Sequence, residues 1–320
     1  MNIFLDFDIG GDVDDMMCLA LLLSRREFDV TGITTTLGNV WERANETRVF
    51  LEAAGRGEIP VACGCSATMG PYFRHEARKG YDEWARSFQL CPAANISTGK
   101  TLLNPVLPMH GVDFMIDTVL NSSAPVFPVL TGTLTNMAMA FVKDARVPDL
   151  IPKLGIMGGE FFTDMAEHNI KCDAVAAEIV FSSGVEAEVI PFQIGIDCRL
   201  TEMEMQAIGE SDDPALKLLY QAMLGWQKHC VNEDSTYTPC LFDPCVAVAL
   251  LHPEFFDWQR GWISVETSRT ENYGKTRFQE DPSGPHRIAV EADRDKVVSF
   301  FMESLLAGES RTEDVRAVFA

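Results

Sequence analysis

Apolar positions along the first 65 residues fall into short runs that alternate with segments of helical spacing. Residues 3–7 form a brief apolar run, which reads as a buried strand. Asp14 to Ser24 opens on acids and continues through Met16, Met17, Leu19, Ala20, Leu22 and Leu23, the signature of a helix. Val30 to Thr35 is strand-like, Arg43 to Ala54 helical, and Ile59 to Ala62 strand-like again. The rhythm returns after residue 110. Helices are predicted at Val112–Leu120, Asn136–Phe141 and Ala174–Phe181, and strands at Val126–Leu130, Leu154–Met157 and Glu188–Ile190. Helical segments follow at Pro214–His229 and Pro244–Leu251, then an alternating stretch from Trp262 to Val290 suited to an antiparallel hairpin, then a last helix. Strands separated by single helices pair in parallel through right-handed crossovers. The pattern therefore predicts an α/β fold with an open, mostly parallel, Rossmann-like sheet flanked by helices. With no repeat and no low-complexity tract, residues 1–320 read as a single domain.

One segment breaks the rhythm. Residues 66–108 mix Tyr72, Phe73, Tyr81, Trp84 and Phe88 with charges, Gly and Pro and show no period. A long irregular insert in an α/β domain is more often a site loop or lid than a linker.

Composition narrows the function. The chain has 320 residues, 47% of them hydrophobic, and a formal net charge of −21. That material suffices for a core, and the charge opposes nucleic-acid backbones and anionic membranes, which attract clustered Lys and Arg. Nine scattered cysteines, an odd number, read as reduced thiols, and neither Cys63/Cys65 nor Cys240/Cys245 has the paired spacing of a zinc site. The opening residues lack the basic, apolar, cleavable character of a leader, and no apolar run of about 20 residues occurs, so the expected location is cytoplasmic.

The chemistry concentrates in Asp6-Phe7-Asp8-Ile9-Gly10-Gly11-Asp12-Val13-Asp14-Asp15, at the junction of the first strand and the first helix. In open parallel sheets, ligands bind outside the carboxyl ends of the strands. Five carboxylates in ten residues repel one another, and a helix N-terminus offsets only about 0.3–1 kcal/mol per acid. A merely solvated helix start would account for one or two of them. A bound hard cation accounts for all, and calcium accepts 6–8 oxygens in flexible geometry. The stretch is not an EF-hand loop, because Gly10 falls on its third ligand position. A magnesium-dependent phosphatase also opens on strand-Asp-x-Asp, with the first Asp as nucleophile; such enzymes carry Thr or Val where this chain has Gly10.

In four separated blocks the chain resembles the inosine-uridine preferring nucleoside hydrolase family. These are the aspartate cluster; Ile33-Thr-Thr-Thr-Leu-Gly-Asn39 with Asn45 beyond it; Leu130-Thr-Gly-Thr-Leu-Thr-Asn136, which is similar to the family's Pro-Thr-Gly-Gly-Leu-Thr-Asn; and Met157-Gly-Gly159 with Ala166-Glu-His-Asn169, Asp173 and Asp243-Pro244. The resemblance implies calcium-dependent hydrolysis of the N-glycosidic bond of ribonucleosides, with Ca²⁺ as cofactor, a small nucleoside as substrate, and a homodimer or homotetramer as assembly. It implies that Asp8 is calcium ligand and general base, and that Asp15, the Thr131 carbonyl and Asp243 complete the ligands. Asp14 and Asn39 would bind ribose hydroxyls, with Asn169 nearby and Glu167 toward the 5′ side.

The chain departs from the family pattern where specificity is set. A two-residue insertion between Asp8 and Asp15 leaves Asp12 as an alternative ligand to Asp8. The Gly159-to-Glu167 connection is short, and the family's His-Gly after Gly64 is missing. Pyrimidine- and inosine-active members carry His before the last ligand Asp, whereas purine-preferring ones carry an aromatic residue; here Phe242 stands there. Phe242 is either a core aromatic or a base-stacking platform, with Trp84 or Tyr81 on the other face of a purine. His75 is a candidate leaving-group acid, beside His110 and His168. Two further readings remain open: a related hydrolase acting on a non-standard riboside, and a non-catalytic ribose- or calcium-binding homologue.

Overall fold

A computed structural model describes residues 1–70, 104–230 and 237–307. Most of the irregular segment, with His75, Tyr81 and Trp84, lies outside the described residues. β1 (Asn2–Phe7), α1 (Asp14–Ser24), β2 (Asp29–Thr35), α2 (Val40–Ala53) and β3 (Val61–Cys63) open the chain. After them come α3 (Gly111–Asn121), β4 (Val126–Leu130), α4 (Thr135–Lys143), α5 (Val147–Leu150), β5 (Leu154–Met157), α6 (His168–Cys172), α7 (Ala174–Phe181) and β6 (Ala187–Ile190). The rest comprises α8 (Phe192–Asp197), α9 (Glu202–Glu210), α10 (Pro214–Cys230), α11 (Pro244–Leu251), β7 (Phe256–Val265), β8 (Thr276–Glu280), β9 (His286–Ala292) and α12 (Arg294–Leu306).

Among the described residues nine strands form one sheet in the order β3-β2-β1-β4-β5-β6-β9-β7-β8. The strands from β3 to β6 pair in parallel, and β9 joins β6 in parallel. Only β7 runs antiparallel, to β8 on one side and β9 on the other. The expected hairpin is thus part of a three-stranded extension whose longest strand starts at Phe256, six residues earlier than the alternation signalled. Asp257 and Gln259, exposed at alternate positions, and the half-buried Arg260 hid that start.

Parallel strands covered on both faces read as continuous apolar runs, and β1 is buried throughout from Ile3 to Phe7. Apolar layers lie on both sides of the sheet, one built largely from α1, α10, α11 and α12, the other from α3, α4 and α7. The chain goes from β1 outward to β2 and β3, then returns to place β4 on the other side of β1. That reversal leaves a crevice beyond the carboxyl ends of β1 and β4, where such sheets bind ligands. α2 begins three residues before the expected Arg43, because the Asn39 side chain accepts a hydrogen bond from the Glu42 N–H and caps the helix. Among the described residues no helix is long and apolar enough to cross a membrane.

Candidate active site

The crevice is built where three chain segments end. β1 passes through Asp6 and Phe7, and the chain turns at Gly10 with φ +99°, a left-handed conformation that glycine adopts without steric cost. α1 then starts with Asp14 and Asp15 in its first turn, both buried. Asp243 arrives from the opposite wall, at the residue before Pro244, which occupies the first helical position of α11. Oxygens of Asp14, Asp15 and Asp243 lie within 4.8 Å of one another. Burial, reinforced by the neighbouring acids, pushes all three carboxyls well above the usual carboxylate range. Such a group ionises together only when a cation compensates it.

Thr131 follows β4. Its hydroxyl donates to Asp15 Oδ1 at 3.0 Å, and its carbonyl accepts from Asn169 Nδ2 at 2.9 Å. Next to it, Gly132 leaves room for Asp8: a Cβ there would stand 3.0 Å from the Asp8 nitrogen and Oδ1. Asp8 itself is nearly buried, with Oδ2 3.7 Å from Nη2 of Arg43, a guanidinium that is 1% exposed. Asp12 is exposed, its Oδ1 accepting from the Val13 N–H at 2.6 Å, and stands apart from the tight carboxylate trio.

Asp8, Asp12, Asp14, Asp15 and Asp243 line a cleft of about 210 Å³ together with Thr131. Glu167 and Asn169 line it as well. Glu167 caps α6: Oε1 accepts from the Asn169 N–H at 2.7 Å, and Oε2 from the Gly159 and Ile170 N–H groups at 3.0 Å each. Asn39, by contrast, is not among the residues lining the cleft. It sits at the head of α2, just after Leu37 and Gly38, both with positive φ. His168 lines the cleft, whereas His110 caps α3, its Nδ1 accepting from the Val112 N–H.

Phe242 lines the cleft half-buried and stacks on Phe192, ring centroids 5.3 Å apart and planes 13° from parallel. Gly195 makes that placement possible, since a Cβ there would meet Phe242 Cδ1 at 2.1 Å. A third aromatic wall comes from Trp226 of α10, itself stacked on Tyr237, which carries the Arg199 guanidinium 4.0 Å from its ring centre. Sequence reasoning did not find Phe192, Trp226 or Arg43. The first two look like ordinary core residues of their helices. For Arg43 a signal existed: residues 43, 47, 50 and 51 share one face of α2, so an arginine there lies on the inward side.

Asp6 does not reach the cleft. Its Oδ1 accepts from Thr34 Oγ1 and from Asn136 Nδ2, both at 2.7 Å, and burial raises its carboxyl to about 7. A side chain enclosed this way is a brace between β1, β2 and α4, which removes the support for a phosphatase nucleophile at that position. The cysteines placed by the structure are free thiols.

The trio Asp14, Asp15 and Asp243 offers oxygen donors only, with Asp8 and Thr131 lining the same cleft, and such a set fits a hard cation and is unsuited to soft metals.

A family model described as inosine-uridine preferring nucleoside hydrolase matches residues 3–299. The probable uridine nucleosidase 2 of Oryza sativa subsp. japonica is 27% identical, over 95% of this chain and 93% of that protein. The pyrimidine-specific ribonucleoside hydrolase RihA of Citrobacter koseri is also 27% identical, over 93% of this chain and 96% of its own. Among solved structures, the purine-preferring ribonucleoside hydrolase from Gardnerella vaginalis superimposes with a TM-score of 0.81, at 23% identity over 94% of this chain and 98% of its own, a likeness of fold.

Proposed function

The chain belongs to the inosine-uridine preferring nucleoside hydrolase family and is a hydrolase of N-glycosidic bonds; from that premise we propose that it cleaves ribonucleosides to ribose and free base with calcium as cofactor, and that it leans to purines or accepts bases broadly. The observation that carries the reading is the buried trio Asp14, Asp15 and Asp243, three acids held together at the carboxyl end of the sheet.

In this reading Asp8, Asp15, Asp243 and the Thr131 carbonyl hold the ion, with Asp12 as an alternative ligand. A calcium ion so bound supplies polarisation of water and a grip on the ribose diol. Asp8 takes the proton from the attacking water, as positive charge builds on the ribose. Asp14 fixes a ribose hydroxyl. Asn39 spends its carboxamide oxygen on capping α2, which leaves its amide N–H groups for a second hydroxyl. Asn169 donates to Thr131 and keeps its oxygen as an acceptor. Glu167 has three of about four lone-pair positions engaged by backbone N–H groups, leaving one toward the 5′ side. Gripping hydroxyls with buried polar groups discriminates against sugars that lack them, so ribosides exceed 2′-deoxyribosides as substrates.

The purine lean rests on Phe242, in place of a proton-donating histidine, with Phe192 and Trp226 beside it in the cleft. His75, the candidate leaving-group acid, and Tyr81 and Trp84, the further stacking candidates, lie outside the described residues. One domain and a homodimeric or homotetrameric assembly complete the reading.

The test is a reducing-sugar assay on purine and pyrimidine ribosides, with Ca²⁺ or with chelator, beside Asp15→Ala. Ribose release that is lost on chelation and in the variant is the expected result, and the best substrate decides the role of Phe242. Release that persists under chelation would overturn the calcium reading. Equal rates on 2′-deoxyribosides would overturn the ribose grip.

A further inference from the structure

Within a site of acids, one cation is built in. The Arg43 guanidinium is almost wholly enclosed, and its contacts are not those of a surface salt bridge. Its Nε donates to the Leu37 carbonyl at 2.8 Å, its Nη1 to the Ile9 carbonyl, and its Nη2 lies 3.7 Å from Asp8 Oδ2. Leu37 is the one non-glycine residue with positive φ among the described residues, on the loop after β2. Ile9 follows Asp8 on the loop after β1. One planar group therefore hydrogen-bonds two adjacent loops and stands in ion-pair range of the carboxylate between them. It does so from α2, one turn beyond the Asn39 carbonyl, which accepts the Arg43 backbone N–H at 3.1 Å.

We infer that Arg43 is a positioning residue for hydrolysis: it sets the direction of the Asp8 carboxylate relative to the carboxylate trio. The inference rests on the reading of Asp8 as the base. Three arguments carry it. A guanidinium offers donors in a rigid fork, so it fixes geometry as well as charge. A buried cation is retained only where its surroundings compensate it, and two carbonyls and a carboxylate are among the groups that do so here. Gly132 also lies close against Asp8, since a Cβ there would stand 3.0 Å from its Oδ1, so the carboxylate has little room to turn away. The consequence is a division of labour. Asp14, Asp15 and Asp243 gather closely around the ion's place, whereas Asp8 is also oriented from the protein side by Arg43.

This separates Arg43 from a residue that merely supports the fold or the ion. Its removal displaces one ligand, Asp8, but also takes a positive charge away from the acids, so the two effects on cation affinity oppose each other while the base loses its orientation. A misplacement of about 1 Å in a reacting group costs on the order of 100-fold.

The experiment compares wild type, Arg43→Met and Arg43→Lys in the full chain by steady-state ribose release and by calorimetric titration of the metal-free protein with Ca²⁺. Arg43→Met is expected to lose about 10- to 100-fold in kcat, a loss that persists at saturating calcium, with KM and Ca²⁺ affinity each within about threefold of wild type. Arg43→Lys, which keeps the charge without the fork, is expected to fall between them. Unchanged kcat in Arg43→Met would overturn the inference, as would a loss that tracks weakened Ca²⁺ binding and disappears at saturating calcium. Should Arg43→Met fail to fold, Arg43→Lys decides alone: lowered kcat with intact Ca²⁺ affinity supports the inference, and full activity overturns it. A wild type that binds Ca²⁺ but releases no ribose from any riboside would instead refute the function proposed above.

Discussion

Single atoms decide the shape of this site. At Gly132 the obstacle to a side chain is close approach: a Cβ would stand 2.7 Å from Thr36 Cγ2 and 3.0 Å from both the backbone nitrogen and Oδ1 of Asp8. Real Cβ atoms tolerate such distances only when a neighbour yields. The 2.7 Å contact forces Thr36, itself in hydroxyl contact with Thr133 at 3.0 Å, or the Gly132 backbone to shift, and the 3.0 Å contacts press on Asp8 as well. Gly132→Ala is therefore expected to fold with a far-ultraviolet spectrum like that of wild type and to lose at least about tenfold in kcat. Wild-type kcat in a folded Gly132→Ala would show that Asp8 tolerates displacement. Glu167 makes the opposite point, since its carboxylate is committed to the backbone. Loss of a capping side chain costs about 0.5–2 kcal/mol. Glu167→Ala should lose about that much in urea denaturation, in addition to any rise in KM. A rise in KM with unaltered stability would mean that the capping bonds contribute little.

At the scale of elements, the strongly patterned parts of the chain were legible. α1, β4, β5 and α7 lie where periodicity put them, because each is an apolar run bounded by polar or turn residues. The short helices α6 and α8 were missed, since five or six residues carry too little period to register. In the site, the acids announced themselves by their density, and the family blocks added Thr131, Asn169 and Asp243. Arg43 and Trp226 stayed hidden because their importance comes from what other segments bring against them. His286 of β9 is a similar case. It is fully buried, accepts the Ile263 N–H on Nδ1 at 3.0 Å, and meets Phe181 edge-on. Burial lowers its imidazole from 6.5 to about 4. The unfolded chain therefore binds a proton between those values that the folded chain refuses. The contribution of neutral His286 is complete above pH 6.5 and lost as pH falls toward 4, on the order of 3 kcal/mol in all. His286→Asn should be less stable than wild type at pH 7, and the gap should narrow on acidification to pH 4.5. A gap that stays constant across that range would refute the burial argument.

The whole molecule brings these parts together through one expensive arrangement. Asp14 and Asp15 come from the first helix, Thr131 from the middle of the sheet, and Asp243 from the N-cap of α11, more than two hundred residues beyond that first helix. In a chain of net charge −21, gathering buried acids from such distant segments opposes folding unless protons or a cation accompany them. Any ion that binds the folded protein but not the unfolded one stabilises it by RT ln(1 + [L]/Kd), about 2.7 kcal/mol at a hundredfold excess over Kd. For a chain of this size that corresponds to a rise of several degrees in Tm. Calcium should therefore raise Tm at pH 7.5 in a concentration-dependent way. Asp243→Asn removes one charge from the trio while keeping its shape, and should abolish most of that rise. The same substitution should leave the metal-free protein no less stable than wild type, because it relieves repulsion among the three acids. A metal-free Asp243→Asn that melts well below metal-free wild type would mean that this carboxyl holds the fold together by hydrogen bonding, and that the cluster is structural before it is a binding site.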